Sequence, residues 1–300
     1  LRIPAEKRQI SLHILSRRYV KVKASSKEPV FLLKFGGKSN FAQPTYQGYN
    51  QFMENKRISI VIPTKNEAAY IDRTIAQFEG FFEKFNLEVV VSDANSTDGT
   101  KEVVLSHAKR FGADRVKFVQ AEGKQNIAIG RNLGSSQATG DILFHMDADV
   151  FIPNKEKFFT KISEVFEKPK VVAATVPIWV YPEEATFVDK LYHFMMNSTI
   201  RNSFFFGVYL AKGECQLVRR STFEKIEGYN ETIVAGEDCN LFYRLHKEGK
   251  ISYVYQLKVY HSPRRFREYG YIKLTMIYLR EGLSLLFLRK SYVQEWKPVR

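Results

Sequence analysis

From Ile58 onward the chain repeats one pattern: a short apolar run rich in β-branched residues, a polar break, then apolar residues at helical spacing. Ile58–Pro63 (ISIVIP), Leu87–Ser92 (LEVVVS), Val116–Ala121 and Asp141–Met146 (DILFHM) read as strands. Glu67–Phe82 places Ile71, Ile75, Phe78 and Phe82 on one helical stripe. Asn95–Thr100 (NSTDGT) is turn chemistry leading into a second helix, with Ser96 or Asp98 as its N-cap. Asn126–Ala138 is a third helix, ended by Thr139-Gly140. Four strands separated by helices imply right-handed βαβ units and a largely parallel sheet.

The second half is less regular. Lys155–Glu167, Ala185–Phe206, Ser221–Ile226 (capped by Ser221) and Glu237–Lys247 read as helices. Val171–Val180, Cys215–Arg220 and Ser252–His261 read as strands. The tail Arg264–Lys290 is helical by pattern, with Ile272, Met276, Leu279, Leu283 and Leu286 on one stripe and Lys273 and Arg280 on another face. Such a helix packs on the core or lies on a membrane surface, and core packing is the commoner outcome.

Charge sorts along the chain. The formal net charge is +14, yet Ile58–His261 carries 25 Lys/Arg against 26 Asp/Glu; residues 1–57 carry 12 against 3, and residues 263–300 carry 9 against 3. Basic ends around a neutral body suit docking to an anionic surface, or plain solubility, better than a nucleic-acid-binding body. The two cysteines, Cys215 and Cys239, have no metal-ligand spacing and make no disulfide framework, so a reducing compartment is the default. No apolar run reaches the ~18–20 residues a spanning helix needs, and there is no signal peptide in the usual form. The expectation is a cytoplasmic chain, with peripheral contact on the cytoplasmic face of an anionic membrane left open. The start at Leu1 also leaves open a removed segment or anchor.

In an open parallel sheet, ligands bind beyond the carboxyl ends of the strands. The first strand ends in Pro63-Thr64-Lys65-Asn66-Glu67, the second in Asp93, the fourth in Asp147-Ala148-Asp149. Asp147 and Asp149 stand two apart on an extended segment, so both carboxylates project to one side. Two hard oxygen donors at that spacing suit Mg²⁺ or Mn²⁺ completed by phosphate oxygens.

The segments ISIVIPTKNE, VVVSDANSTDGT, GRNLGSSQATGDILFHMDAD and AGEDCNLFYRL, in that order and spacing, resemble the family 2 glycosyltransferases of the GT-A fold, over about Ile58–His261. The resemblance implies an α/β, Rossmann-like, mostly parallel sheet flanked by helices. To this the chain adds a basic N-terminal extension (1–57) and a basic amphipathic helical tail (263–300). It divides the rest into a nucleotide-sugar-binding half (58–150) and an acceptor-binding, catalytic half (151–262).

The resemblance also implies roles. Pro63, Thr64 and Glu67 would line the nucleotide pocket, Asp93 would contact the base, and Lys124 and Arg131 would approach the nucleotide. Asp147 would meet the ribose or the metal, and Asp149 would bind the metal. In Glu237-Asp238, Asp238 would be the general base toward the acceptor hydroxyl. His261 is either a further metal ligand, favouring Mn²⁺, or a structural histidine. Arg264 and Arg265 reach a phosphate or acidic acceptor, or form an exposed basic turn. The chain departs from the family in Asp93-Ala94, one carboxylate where two are usual. Trp179, Tyr181 and Phe204–Phe206 read as core, and His107, His145, His193 and His246 as structural.

The implied reaction moves a sugar from a UDP- or GDP-linked donor to a hydroxyl on a glycan or lipid-linked glycan. A cation stabilises the leaving diphosphate, and one base without a carboxylate nucleophile fits inversion. A polyprenyl-phosphate acceptor is the alternative; being ionised already, it needs no base. A sugar nucleotidyltransferase is more distant, because Pro63-Thr64-Lys65-Asn66 lacks the glycine-rich turn that holds triphosphate. A non-catalytic polyanion-binding protein is more distant still. No nucleic-acid partner is expected.

Overall fold

The computed structural model describes residues 56–123, 125–288, 291–293 and 299. The N-terminal extension up to residue 55 and Lys124 therefore lie outside the described residues.

Nine strands and nine helices are found among those residues. They run β1 (Ile58–Thr64), α1 (Ala68–Ala76), β2 (Leu87–Asp93), α2 (Thr100–Phe111), β3 (Val116–Gln120), α3 (Ile127–Gln137), β4 (Ile142–His145), α4 (Lys155–Phe166), β5 (Val171–Thr175) and β6 (Ile178–Val180). Then come α5 (Phe187–Phe205), β7 (Gln216–Arg219), α6 (Arg220–Lys225), α7 (Glu237–Leu245), β8 (Lys250–Tyr253), β9 (Val259–His261), α8 (Arg264–Tyr269) and α9 (Tyr271–Leu288).

Seven strands form one sheet in the order β3-β2-β1-β4-β7-β5-β8. All neighbours are parallel except at β7, which runs antiparallel to both β4 and β5. The expected α/β, mostly parallel sheet flanked by helices is what forms. β1 and β2 are apolar on both faces because helices cover both: Ile60, Ile62, Val89 and Val91 face one core cluster, Val61 and Val90 the other. β6 and β9 make a separate two-stranded parallel sheet.

α3 sits very close to the sheet, and its sequence explains how. Asn126 caps it by accepting from Ile129 N–H at 2.8 Å. A Cβ at Gly134 would lie 2.5 Å from Val61 Cγ1, and one at Gly130 3.2 Å from Pro63 Cβ. The missing side chains let the helix approach, and that approach sets Arg131 against the sheet edge.

Several expectations need correction. The run Val171–Val180 is broken by Pro177, which has no N–H to continue the ladder, so β5 and β6 belong to different sheets. Ser252–His261 is likewise two strands, with a turn closed by Leu257 N–H donating to Val254 C=O. Helix α1 ends at Ala76 and the chain continues in short turns; Ile71, Ile75, Phe78 and Phe82 are nonetheless all buried. The N-cap position of α2 is Gly99, in the left-handed region, rather than Ser96 or Asp98; Asp98 nonetheless accepts from Thr100 N–H in the first turn of α2 (3.1 Å) as well as from Ala68 N–H at the start of α1. Ser221 lies inside α6 rather than capping it. Phe205 and Phe206 are exposed, not core. The tail breaks at Gly270 (φ 75°) into α8 and α9. In α9 the stripe Ile272, Met276 and Leu279 faces outward while Leu274 and Glu281 are buried.

Candidate active site

Parallel pairing brings the carboxyl ends of β2, β1 and β4 to one edge of the sheet. Thr64 and Asp93 are register partners there, and the Thr64 hydroxyl donates to Asp93 Oδ1 at 2.9 Å. Asp93 also accepts from Ser96 N–H (2.8 Å) and the Ser96 hydroxyl (2.5 Å), so the buried carboxylate is fixed by the turn that follows it. Pro63 packs beside Gly130 at the same edge.

Arg131 reaches this edge from α3 and is 1% exposed. Its Nη1 donates to Glu237 Oε1 at 2.8 Å, and its Nη2 to Asp147 Oδ1 at 3.0 Å and to the Gly213 carbonyl at 3.1 Å. A Cβ at Gly213 would collide with the guanidinium. Burial disfavours its charge, but Tyr229, Asp147, Glu237 and Asp238 outweigh that and raise it above the usual arginine range. One cation thus joins the end of β4 to the first turn of α7.

Glu237 and Asp238 open α7 behind Gly236, which has φ 77°. A helix N-terminus favours carboxylates there. Even so, burial raises both carboxyls, against the lowering by Arg131; in Glu237 the neighbouring Asp238 charge adds to the rise. Asp238 is therefore a carboxylate with more affinity for a proton than an exposed aspartate, which is what a general base needs.

Asp149 is 6% exposed. Arg264, the first residue of α8, places its Nε 3.1 Å from Asp149 Oδ2 while its Nη1 and Nη2 each donate to Glu67 at 2.9 Å. Burial pushes the Asp149 carboxyl up, Arg264 pulls it down, and Asp147, Glu67 and Glu214 push it up again, to about 7. Asp147 and Asp149 are thus two hard carboxylates, each held by one arginine, and hard oxygen donors of that kind fit a divalent cation. Among the described residues no three His, Cys, Asp or Glu side chains gather as a ligand set, so phosphate oxygens of a donor would have to complete it.

Among the described residues His261 belongs to no group of three metal-ligating side chains. Its Nε2 lies 2.9 Å from His193 Nε2. His193 Nδ1 faces the Asp189 carbonyl at 2.9 Å and so donates there; its Nε2 must then accept from His261. Burial, then Lys212, lowers His261 to about 3, and burial lowers His193 to about 4, so both rings are neutral.

Several residues at this edge escaped sequence reasoning. Glu214 is paired with Lys212 at 3.0 Å and lies 3.6 Å from His261 Nδ1. Gln216 accepts from the Tyr229 hydroxyl at 2.6 Å. Gln216 opens β7 and Glu214 lies two residues before it. Because β7 is antiparallel, its amino end, not its carboxyl end, meets the site. The signal was present in Lys212-Gly213-Glu214 before an apolar strand, but using it required knowing the strand's direction.

The model for "Glycosyl transferase family 2" matches residues 59–227. The chain belongs to this family and is a glycosyltransferase. It is 28% identical over 228 residues to the succinoglycan biosynthesis protein ExoA of Rhizobium meliloti (strain 1021), covering 71% of this chain and 67% of that protein. It is 22% identical over 259 residues to a dolichyl N-acetyl-alpha-D-glucosaminyl phosphate 3-beta-D-2,3-diacetamido-2,3-dideoxy-beta-D-glucuronosyltransferase of Methanococcus voltae, covering 78% and 75%. In fold it resembles the mannosyltransferase PcManGT of Pyrobaculum calidifontis, solved with GDP-Man and Mn²⁺. The TM-score is 0.56 at 20% identity, over 76% of this chain and 65% of that one. The chain thus spans just under two thirds of the length of that solved relative.

Proposed function

We propose that the enzyme transfers a sugar from a UDP- or GDP-linked donor to a hydroxyl of a glycan or lipid-linked glycan, with inversion at the anomeric carbon. The observation that carries this reading is the double contact of Arg131 with Asp147 and Glu237, which sets the Asp147–Asp149 edge beside Asp238. Residues 58–150 supply the donor side: Pro63, Thr64, Glu67, Asp93, Lys124 and Arg131 around the nucleotide. Residues 151–262 supply the acceptor side.

Asp147 and Asp149 would hold Mn²⁺ or Mg²⁺, and that cation supplies charge stabilisation to the departing diphosphate. The chain's own residues do the rest. Arg131 fixes Asp147 and Glu237 in place. Arg264 neutralises Asp149 and Glu67 and is a cation within reach of a phosphate. Asp238 takes the proton of the acceptor hydroxyl. The relative from Pyrobaculum calidifontis, bound to GDP-Man and Mn²⁺, supports the donor and metal. The dolichyl-phosphate-linked sugar in the name of the Methanococcus voltae relative supports a lipid-linked acceptor.

A polyprenyl-phosphate acceptor is the second reading, and Asp238 separates the two. Turnover of each acceptor is measured with Asp238→Asn, and the product anomer is assigned by NMR. Loss on the hydroxyl acceptor with an inverted product supports the first reading. Full activity on polyprenyl phosphate, with none on a hydroxyl, supports the second.

A further inference from the structure

Helices α5 and α9 are joined at Tyr192. The Tyr192 hydroxyl lies 3.0 Å from the Thr275 hydroxyl, and the Tyr192 and Tyr271 rings meet at 4.7 Å. Each helix turns apolar side chains away from the body. On α5, Phe187 (78% exposed), Leu191, Phe194 and Met195 lie opposite the buried Asp189, His193 and Asn197. On α9, Ile272 (83% exposed), Met276 and Leu279 lie opposite the buried Leu274 and Glu281. An outward apolar stripe on two joined helices is more than the scattered exposure normal for a surface.

The charges on the two helices are sorted as well. The acids, Asp189 on α5 and Glu281 on α9, are both buried. Asp189 is taken up by Arg267 and the Tyr271 hydroxyl, and Glu281 by Ser291, Tyr292 N–H and Val293 N–H. The basic residues Lys190, Arg201, Lys273 and Arg280 are all exposed. On the two helices every outward charge is a cation, the exposed acids Glu183, Glu184 and Glu268 lying ahead of the helices. Outward apolar side chains among cations match the boundary between acyl chains and anionic headgroups, with the Lys and Arg stems reaching to the phosphates.

We propose that α5 and α9 form a platform that seats the enzyme on an anionic lipid leaflet. A second copy of the chain would set cations against cations, and residues 1–57, with 12 Lys/Arg against 3 Asp/Glu, are no better complement. No described helix is long and apolar enough to cross a membrane, so α5 and α9 would lie along the leaflet rather than span it. The platform connects to the site: α5 bonds His261 through His193, and Arg264 of α8, directly before α9, holds Asp149. This rests on the proposed function only in making the leaflet the place where a lipid-linked acceptor is met.

The test is flotation of the full chain with phosphatidylcholine vesicles and with mixed phosphatidylcholine–phosphatidylglycerol vesicles, without donor or metal. Binding is expected on the mixed vesicles and falls with salt. Lys190→Gln with Lys273→Gln should weaken it by roughly fivefold per cation. Phe194→Ser with Ile272→Ser should weaken it by roughly tenfold or more per side chain. Both variants should keep the thermal midpoint and transfer to a water-soluble acceptor. Absence of binding to mixed vesicles, or binding indifferent to both variants, overturns the platform. So does a dimer broken by Phe194→Ser with Ile272→Ser in a chain that does not bind vesicles. Vesicle binding without transfer would sink the functional reading and leave the platform standing.

Discussion

Arg131 and Glu237 stand 106 positions apart in sequence, yet their side chains meet at 2.8 Å with almost no solvent access. The same guanidinium holds Asp147, so α3, β4 and α7 share one cation. Removing it strands the buried Glu237 carboxylate, which costs about 3–5 kcal/mol, while the half-exposed Asp147 can turn to solvent. Arg131→Met should lose stability of that order in denaturant unfolding. Arg131→Lys should recover only part of it, because an ammonium cannot fork to two carboxylates and a carbonyl.

Asp238 gives a pH signature. Burial raises its proton affinity, and a base works only when ionised, so activity should rise with pH along a limb displaced upward from the ordinary aspartate range. Asp238→Asn should lower kcat by about 10²–10⁴-fold with donor KM little changed, and should remove that limb. A pH profile of kcat/KM on a hydroxyl acceptor for both proteins checks this.

Glu88 tests the sheet itself. Burial alone would raise this carboxyl, but Lys117, Ser59 and Thr139 bring it down from 4.5 to about 2. The folded value lies below the unfolded one, so the stabilisation is complete above about pH 4.5 and drains away as pH falls toward 2. It amounts to about 3 kcal/mol at neutral pH. Wild type should lose this increment between those limits, and Glu88→Gln should be less stable at pH 7 with a flatter acid profile.

Gly213 probes the closeness of the site. Its carbonyl accepts from Arg131 and its missing Cβ leaves room for the guanidinium. Gly213→Ala should displace Arg131 and reduce donor affinity and turnover together. Gly282→Ala, where nothing stands within 4 Å and φ is not positive, is the control for a glycine replaced without a clash, and steady-state kinetics compare the two.

Much of this was legible in the sequence because periodicity is local. The runs at Ile58, Leu87, Val116 and Asp141 became parallel strands, and their carboxyl ends carried Thr64, Asp93 and Asp147. What was not legible is what depends on tertiary direction. Pro177 split a strand across two sheets. Glu214 entered the site because β7 runs backward. His261 pairs with His193, 68 residues away, which no spacing foretells. The outward stripe of α9 reads identically to a core stripe until its neighbours are placed. The same holds for Phe205 and Phe206, whose aromaticity alone argued for burial.

The Asp147–Asp149 edge is expected to bind a nucleotide diphosphate together with a divalent cation. The direct measurement is the thermal midpoint with UDP, GDP and their sugar derivatives, with and without Mn²⁺, for wild type and Asp149→Ala. Ligand at a hundred times its Kd should add about 2.7 kcal/mol. Stabilisation by one nucleotide family, dependent on Mn²⁺ and lost in Asp149→Ala, is expected. No shift with any nucleotide, or a shift indifferent to both Mn²⁺ and Asp149, would contradict it.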